Sequence, residues 1–347
     1  MNATAGLQEW QIDTLSRLYL STLSFSLVGS ASVVLLSIIK RRDLNEQVKP
    51  LVQLGSADFL ASAVLLGTNM LNVLPLSSAL RSNVLLCELA LSLSLMFFWI
   101  SFLLAILYAC ESTFATQGWR ERTEQGDQHE IRRRSRRFGL FYASVWLVPM
   151  SAFIVYAVTM TTSMVDMTPV SADNSHNKSL PPAAEYCTSC LLFLHIQGDN
   201  CSDMDKDHDL LVRGLLFASL LSVVVICTVV YCKLHSWSRQ YDDRSVMSRR
   251  RLKGALSSAR YIIINTSICW SPALLLLSLS FLKQVTQEQL FPLYILQALF
   301  VSLHGFLNSV VYAWRRPNFR EAVLGERMPL LSSSHRAYFE ESLPTPC

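Results

Sequence analysis

The sequence is poor in charged side chains and in residues that break helices. Asp, Glu, Lys and Arg make up 16% of the 347 residues, whereas 51% are hydrophobic. Soluble domains usually carry roughly 25% charged residues. Twelve glycines and twelve prolines are too few for a fibrous or disordered chain. These deficits exclude an ordinary soluble protein and predict a chain that lies largely within a membrane.

Recognisable catalytic motifs are also missing from the sequence. It contains no His-Glu-x-x-His, no Gly-x-Ser-x-Gly, no phosphate-binding loop and no paired aspartates within an apolar segment. The formal net charge is only +4, and the basic residues cluster between apolar segments. This distribution argues against nucleic-acid binding. We therefore expect neither an enzyme nor a nucleic-acid partner.

Seven apolar segments are long enough to cross a bilayer, whose hydrocarbon core of about 30 Å requires about 20 helical residues. They cover approximately residues 15–39, 50–74, 85–110, 138–161, 210–232, 256–281 and 291–314. The predicted fold class is an all-α membrane protein, a seven-transmembrane helix bundle over residues 15–314. An extracellular N-terminus (1–14) precedes the bundle, and a cytosolic tail (315–347) follows it.

The distribution of basic residues predicts the orientation of the bundle. Of the 30 Lys and Arg residues, 24 lie in the loops after segments one, three and five and in the tail. The positive-inside rule therefore assigns these parts to the cytosol. Glycosylation sequons that begin at Asn2, Asn177 and Asn200 all fall on the opposite side. We expect an extracellular N-terminus and a cytosolic C-terminus, in the plasma membrane.

Four of the nine cysteines lie on the predicted outer side, where disulfides form: Cys87, Cys187, Cys190 and Cys201. Four cysteines allow three pairings. The most useful pairing joins Cys87, at the start of the third segment, to Cys187 or Cys190 in the long second outer loop. A zinc site is less favoured, because no second Cys-x-x-Cys pair completes four ligands.

Asp58, in the second segment, is the one acidic residue that lies clearly inside an apolar segment. An ionisable group at membrane depth is costly, which makes it a functional candidate. Ser101 of the third segment, and Asn308 with its neighbour Ser309 in the seventh, are predicted to surround it. Their oxygens could hold a sodium ion and water. Alternatively, Asp58 is a protonated, hydrogen-bonded packing element. The single intramembrane histidine, His304, is expected to have a packing role.

Short motifs in the seven segments resemble those of the G-protein-coupled receptor superfamily. In chain order they are Gly29-Ser30-Ala31-Ser32-Val33, Leu54-Gly55-Ser56-Ala57-Asp58, Cys87, Trp146, Cys269-Trp270-Ser271-Pro272 and Asn308-Ser309-Val310-Val311-Tyr312. Residues 317–320 are similar to the short amphipathic eighth helix of that family. The segment 304–309, with Tyr312, also resembles its cyclic-AMP-receptor-like branch. The resemblance covers nearly the whole chain.

The resemblance implies a receptor that transmits an extracellular or lumenal signal to a G protein or arrestin by rearranging its helices. It implies that Trp270 and Pro272 couple the position of a ligand to a swing of the sixth helix. Tyr312 would complete a rearranged hydrogen-bond set at the inner end of the seventh helix. The third segment lacks an acid that could bind an amine, so a small or lipophilic ligand, such as a membrane lipid, is expected.

The chain departs from this family at the inner end of the third segment. Ser112 follows Glu111 at the place where receptors resembling rhodopsin carry an arginine. Glu111 could pair with Lys253 or Arg260 and so hold the bundle closed, or it could be a surface acid in a basic loop. The missing arginine keeps a second function open, that of a non-coupling trafficking or scaffold protein. A transporter or lipid-moving protein on the same fold is a third.

The tail contains a pattern similar to an acidic dileucine sorting signal. Its defining residues are Glu326, Leu330 and Leu331. Adaptor proteins bind such signals at the plasma membrane and at endosomes. This pattern adds an adaptor protein to the expected partners and endosomal or lysosomal membranes to the expected locations.

Overall fold

The computed structural model describes residues 7, 9–39, 49–73, 84–121, 128–163, 191–192, 206–240, 246–282, 285 and 288–315. Within these ranges the chain forms helices and short turns and contains no strand. The seven helices are α1 (Glu9–Ile39), α2 (Lys49–Val73), α3 (Val84–Glu121), α4 (Gln128–Ser163), α5 (Lys206–Gln240), α6 (Val246–Ser280) and α7 (Phe291–Arg315).

Each of the seven helices contains a stretch that is long and apolar enough to cross a membrane. The predicted all-α membrane protein with seven such helices is therefore confirmed. Residues after Arg315 lie outside the described part of the chain. The short amphipathic eighth helix consequently stays a prediction.

Several helices are longer than the apolar segments that predicted them. α4 begins at Gln128, well before residue 138, and α6 begins at Val246, well before residue 256. Both extensions contain runs of arginine, which has a high helix propensity. Hydropathy identifies only the part of a helix that can lie in the hydrocarbon core of the membrane. The helix itself is longer, because backbone hydrogen bonding continues into the polar residues at its ends.

The helices close into a ring. α1 packs against α2 and α7, α2 against α3, α3 against α6, and α6 against α7. The first and last helices are joined by a buried hydrogen bond in which the Tyr19 hydroxyl donates to Gln297 Oε1 at 3.0 Å. This closure brings residues that are 250 or more positions apart into the same core.

α4 lies at the periphery of the bundle. Its extensive contacts are with α3 alone. The apolar side chains that it leaves exposed include Leu147, Val148, Ile154, Val155 and Val158. In a membrane these side chains face lipid, which explains why a helix with so few protein contacts is nonetheless apolar.

Candidate functional site

Asp58 lies at the centre of a buried polar cluster where α2, α3, α6 and α7 meet. The residue is 1% exposed. Ser101 Oγ of α3 donates to Asp58 Oδ1 at 2.6 Å, and Asn308 Nδ2 of α7 donates to Asp58 Oδ2 at 2.9 Å. Each carboxylate oxygen thus accepts a hydrogen bond from a different helix. These bonds offset part of the cost of burying a carboxyl group.

Asn308 also forms a hydrogen bond with α6. Its Oδ1 accepts from Asn265 Nδ2 at 2.8 Å, and Cys269 Sγ donates to Asn265 Oδ1 at 3.4 Å. The Asn308 amide thus presents its nitrogen to Asp58 and its oxygen to Asn265. One amide therefore connects α2 with α6 through α7.

His304 is the fifth polar side chain at this point. It precedes Asn308 by four residues, so the two side chains share one face of α7. Its Nε2 lies 3.4 Å from Asn308 Nδ2, and its Nδ1 lies 3.6 Å from Asp58 Oδ1. The imidazole is fully buried. We call Asp58, Ser101, Asn265, His304 and Asn308 the Asp58 cluster.

Gly305 allows α7 to lie very close to α1 and α2 beside this cluster. A Cβ at position 305 would lie 2.5 Å from Ser26 Oγ, 2.9 Å from Ser30 Oγ and 3.1 Å from Asp58 Cβ. The next residue, Phe306, uses its backbone N–H to donate to Ser26 Oγ at 3.1 Å. A side chain at 305 would force these groups apart, so the approach requires glycine.

Three aromatic residues, Phe98, Phe102 and Trp270, form a layer directly against the Asp58 cluster. The Trp270 ring of α6 packs edge-to-face against Phe98 and Phe102 of α3, with centroid separations of 5.1 and 4.8 Å. The His304 ring lies 6.3 Å from the Trp270 ring. Such aromatic pairs add about 0.5–1.5 kcal/mol each beyond burial. The aromatic layer therefore packs α6 against α3 beside the polar cluster.

Ser309, which the sequence predicts beside Asp58, makes its hydrogen bond within α7. Ser309 Oγ donates to the Gly305 carbonyl at 2.8 Å, so it serves its own helix and not the carboxylate. Pro272 lies within α6, two residues after Trp270. Tyr312 belongs to α7, but its side chain lies outside what the structure describes.

Glu111 has a partner that the sequence did not predict. The Tyr142 hydroxyl of α4 donates to Glu111 Oε2 at 2.5 Å. The Arg260 guanidinium instead lies over the Tyr231 ring of α5, 5.5 Å from its centroid. The described structure therefore contains no Glu111–Arg260 pair, because Arg260 is turned towards α5. The Lys253 side chain lies outside the described residues.

Several predicted sites fall wholly or partly outside the described residues. Cys87 is buried at the start of α3, at 3% exposure. Its proposed partners, and the glycosylation and sorting residues, are outside the described ranges: Cys187, Cys190, Asn2, Asn177, Asn200, Glu326, Leu330 and Leu331. The disulfide, the glycosylation sites and the sorting signal stay predictions.

The sodium ion that the sequence predicts at Asp58 stays a prediction. Hard cations bind several oxygen ligands at once. Ser101 and Asn308 instead direct hydrogens at the carboxylate, and the Asn308 oxygen already accepts from Asn265. Among the described residues, no group of three His, Cys, Asp or Glu side chains could hold a metal ion. In the described arrangement, Ser101 and Asn308 act as donors to the carboxyl group, and Asn308 and Asn265 also accept hydrogen bonds.

The sequence predicts three members of the cluster, Asp58, Ser101 and Asn308, as neighbours. It does not predict the other two: Asn265 belongs to a glycosylation sequon at membrane depth, and His304 is expected to have a packing role. Spacing is the available signal: Asn265 lies four residues before Cys269 on α6, and His304 lies four residues before Asn308 on α7.

Comparison with known proteins matches this chain to no family model and to no curated protein. The resemblance to G-protein-coupled receptors therefore rests on the motifs within the sequence.

Proposed function

We propose that this chain is a receptor-like membrane protein that transmits a signal across the membrane by rearranging its helices. The observation that supports this proposal is the Asp58 cluster, in which one buried carboxyl group joins α2 to α3 and α7, and α7 to α6. Because only a few hydrogen bonds connect these four helices, a change in one bond would change the relative positions of the helices. Packed cores with two discrete arrangements convert small shifts into such movements.

The cluster offers an alternative set of hydrogen bonds. Ser30 Oγ is buried next to Gly305 and Asp58 and makes no hydrogen bond to the described residues. It provides an additional donor and acceptor within reach of a small movement of α7. After such a movement, the polar groups of the cluster could form a second set of hydrogen bonds that includes Ser30. A protein that switches between two conformations needs a stable arrangement of this kind in each of them.

In this proposal, a ligand acts on the cluster through the aromatic layer. Pro272 removes a backbone hydrogen bond from α6 and allows the helix to bend there. A small or lipophilic ligand that displaced Trp270 would shift α6 and, through Asn265, the Asp58 cluster. The receiving partner on the cytosolic side would be a G protein or arrestin.

A signalling assay in cells tests the proposal. We expect Asp58→Asn and Trp270→Ala to change basal signalling in a G-protein subtype dissociation panel and an arrestin assay, at unchanged surface expression. Asp58→Asn keeps the size of the side chain and removes its charge. Val148→Ala, which changes a lipid-facing residue of α4, should behave like the wild type.

The panel should include Ser112→Arg, which restores the arginine that related motifs predict. If neither the wild type nor Ser112→Arg gives a response in any of the G-protein or arrestin assays, the receptor proposal is contradicted. A gain of coupling in Ser112→Arg alone would indicate a receptor scaffold that has lost coupling.

One observation favours a second candidate, a non-coupling trafficking or scaffold protein. Glu111 lies beside the position where the arginine is missing, and its carboxylate accepts a hydrogen bond from Tyr142. This acid is thus held within the bundle by α4. Proximity labelling of the full chain in cells separates the candidates: recovery of adaptor proteins without any G protein or arrestin supports the second.

A further inference from the structure

Five arginines lie close together near the start of α4. In chain order they are Arg132, Arg133, Arg134, Arg136 and Arg137. The helix begins at Gln128, whereas its stretch that is apolar enough to cross a membrane begins at Gly139. The five arginines therefore belong to a polar extension of α4, which we define as residues 128–138.

The length of α4 places the polar extension at the level of the lipid headgroups. The apolar stretch Gly139–Thr159 has 21 residues, which measure about 31 Å along the helix axis and so match a hydrocarbon core of about 30 Å. Arg137 and Arg132 precede Gly139 by two and seven residues, or about 3 and 10 Å along the axis. The headgroup layer on each side of a bilayer is roughly 5–8 Å thick. The arginine positions therefore lie in this layer and at its surface.

The protein leaves much of the circumference of α4 open next to the polar extension. The extensive contacts of α4 are with α3 alone. Leu140 and Phe141, at the start of the apolar stretch, are 71% and 56% exposed, and a Cβ at Gly139 would have nothing within 4 Å. At 3.6 residues per turn, the five arginine positions spread over more than half of the circumference. They cannot all lie against a single neighbouring helix.

The charge pattern of the polar extension does not favour a helix by itself. Residues three or four positions apart are neighbours on a helix surface, and like charges at this spacing destabilise the helix. The five arginines include four such pairs, for example Arg132 with Arg136. Glu130 is the single acidic residue of 128–138 and can offset only part of this repulsion. Since the extension is nevertheless helical, anions from outside the helix would stabilise it.

We propose that the polar extension of α4 binds the phosphate groups of anionic membrane lipids, and that this binding stabilises the extension as a helix. Clusters of basic residues directly beside a membrane span are attracted to an anionic lipid surface. The planar guanidinium group suits phosphate because it can donate two parallel hydrogen bonds. Lipid headgroups are favoured over a soluble anion because the adjoining apolar stretch holds the arginines at headgroup level.

This inference goes beyond the proposed function. It concerns how the peripheral helix α4 is held in the membrane, and it requires neither a ligand nor a signalling partner. The distribution of Lys and Arg predicts that α4 begins on the cytosolic side. The cytosolic leaflet is the one that carries anionic lipids, so the predicted orientation is consistent with the proposal.

Hydrogen exchange measured by mass spectrometry tests the polar extension directly. The full-length protein is placed in nanodiscs of phosphatidylcholine alone or of an equal mixture with phosphatidylserine. In about 0.1 M salt, where the screening length is about 10 Å, peptides that cover 128–138 should exchange more slowly in the anionic discs. We expect a difference of about fivefold or more, which corresponds to the attraction of one basic residue to an anionic surface. In about 1 M salt the screening length falls to about 3 Å, and the difference should largely disappear.

Matched variants identify the groups that respond. The first variant combines Arg132→Gln, Arg133→Gln, Arg134→Gln, Arg136→Gln and Arg137→Gln. Glutamine has a helix propensity similar to that of arginine, so this variant should lose the lipid dependence and not the helix. Lysine at the same five positions keeps the charge and should keep the lipid dependence. Ser135→Asp retains every arginine and adds one negative charge. It should reduce the difference, and it provides an independent measurement if the glutamine variant fails to fold.

The start of α1 is an internal control in the same samples. Its basic residue, Arg17, already forms an ion pair with Asp13, with 3.0 Å between Arg17 Nε and Asp13 Oδ2. Peptides that cover residues 9–17 should therefore exchange at the same rate in both kinds of nanodisc.

Three results would overturn the proposal. They are equal exchange of 128–138 in the two lipids, a difference that persists at high salt or in the glutamine variant, and a difference of the same size at the start of α1. The first result is also the one expected if the arginines bind an acidic soluble protein instead of lipid. None of these measurements uses a signalling partner, so failure of the lipid site and failure of the receptor function are separately visible.

Discussion

At the scale of single residues, the approach of α7 to α1 and α2 depends on the missing side chain of Gly305. The hydroxyls of Ser26 and Ser30 occupy the space that a Cβ would need. Ser26 also accepts the backbone hydrogen bond from Phe306. A serine can rotate away from a methyl group, but only by giving up this bond. The absence of a side chain at residue 305 therefore lets the backbone of α7 form a hydrogen bond with Ser26 of α1.

Gly305→Ala should destabilise the protein. Insertion of a methyl group into a packed site costs about 1–3 kcal/mol, which exceeds the gain of about 1 kcal/mol that alanine brings to a helix. Gly139→Ala in α4 is the matched control, since nothing lies within 4 Å of a Cβ there. Thermal unfolding should show a loss at 305 and no loss at 139. Equal curves for the two variants would mean that α7 can move away from α1 at little cost.

At the scale of elements, the peripheral helix α4 is attached to the bundle through α3. A polar bond reinforces this contact: the Tyr142 hydroxyl donates to Glu111 at 2.5 Å. Most of the rest of α4 faces outward, with apolar side chains exposed along its length. A single hydrogen bond therefore matters more for the position of α4 than it would for a helix with several neighbours.

Tyr142→Phe should weaken the α3–α4 contact by about 1.5–3 kcal/mol, because a hydrogen bond to a carboxylate is lost. A double-mutant cycle with Glu111→Gln isolates the coupling between the two side chains. Tyr231→Phe serves as a control of the same chemistry, since the Tyr231 hydroxyl makes no hydrogen bond to the described residues. If the effects of Tyr142→Phe and Glu111→Gln are additive, the hydrogen bond does not hold α4.

At the scale of the whole molecule, an odd number of membrane crossings would put the two termini on opposite sides. The seven apolar helices of the structure satisfy this condition, and the distribution of Lys and Arg predicts which side is which. The sequons at Asn177 and Asn200 would then be open to glycosylation, whereas the one at Asn265 lies inside α6.

Epitope tags test this orientation. An N-terminal tag should be accessible on intact cells, and a C-terminal tag only after permeabilisation. Asn177→Gln and Asn200→Gln should each reduce the mass removed by a glycosidase. Ser267→Ala destroys the intramembrane sequon and should leave that mass unchanged. Access to both tags without permeabilisation would contradict a seven-span topology.

Part of the candidate site is predictable from sequence, because burial of an acid within an apolar segment is energetically unfavourable. An acid within an apolar segment needs donors from other segments, and Ser101 and Asn308 are polar residues at comparable depths. The partner of Glu111 was not predictable in this way. Tyr142 lies on another helix, and only the rotation of α4 about its axis decides whether its hydroxyl or a basic side chain reaches the acid.

The amino-acid sequence by itself determined that the chain forms seven apolar helices, because segment length and hydropathy are local properties that the bilayer thickness makes decisive. It also determined that Asp58 requires partners. Tertiary structure decided which partners meet. Helix rotation and crossing select one face of each helix, and the close approach at Gly305 brings α7 beside Asp58. The contacts of His304 and Asn308 with Asp58 depend on that packing, since they join helices whose residues lie up to 250 positions apart.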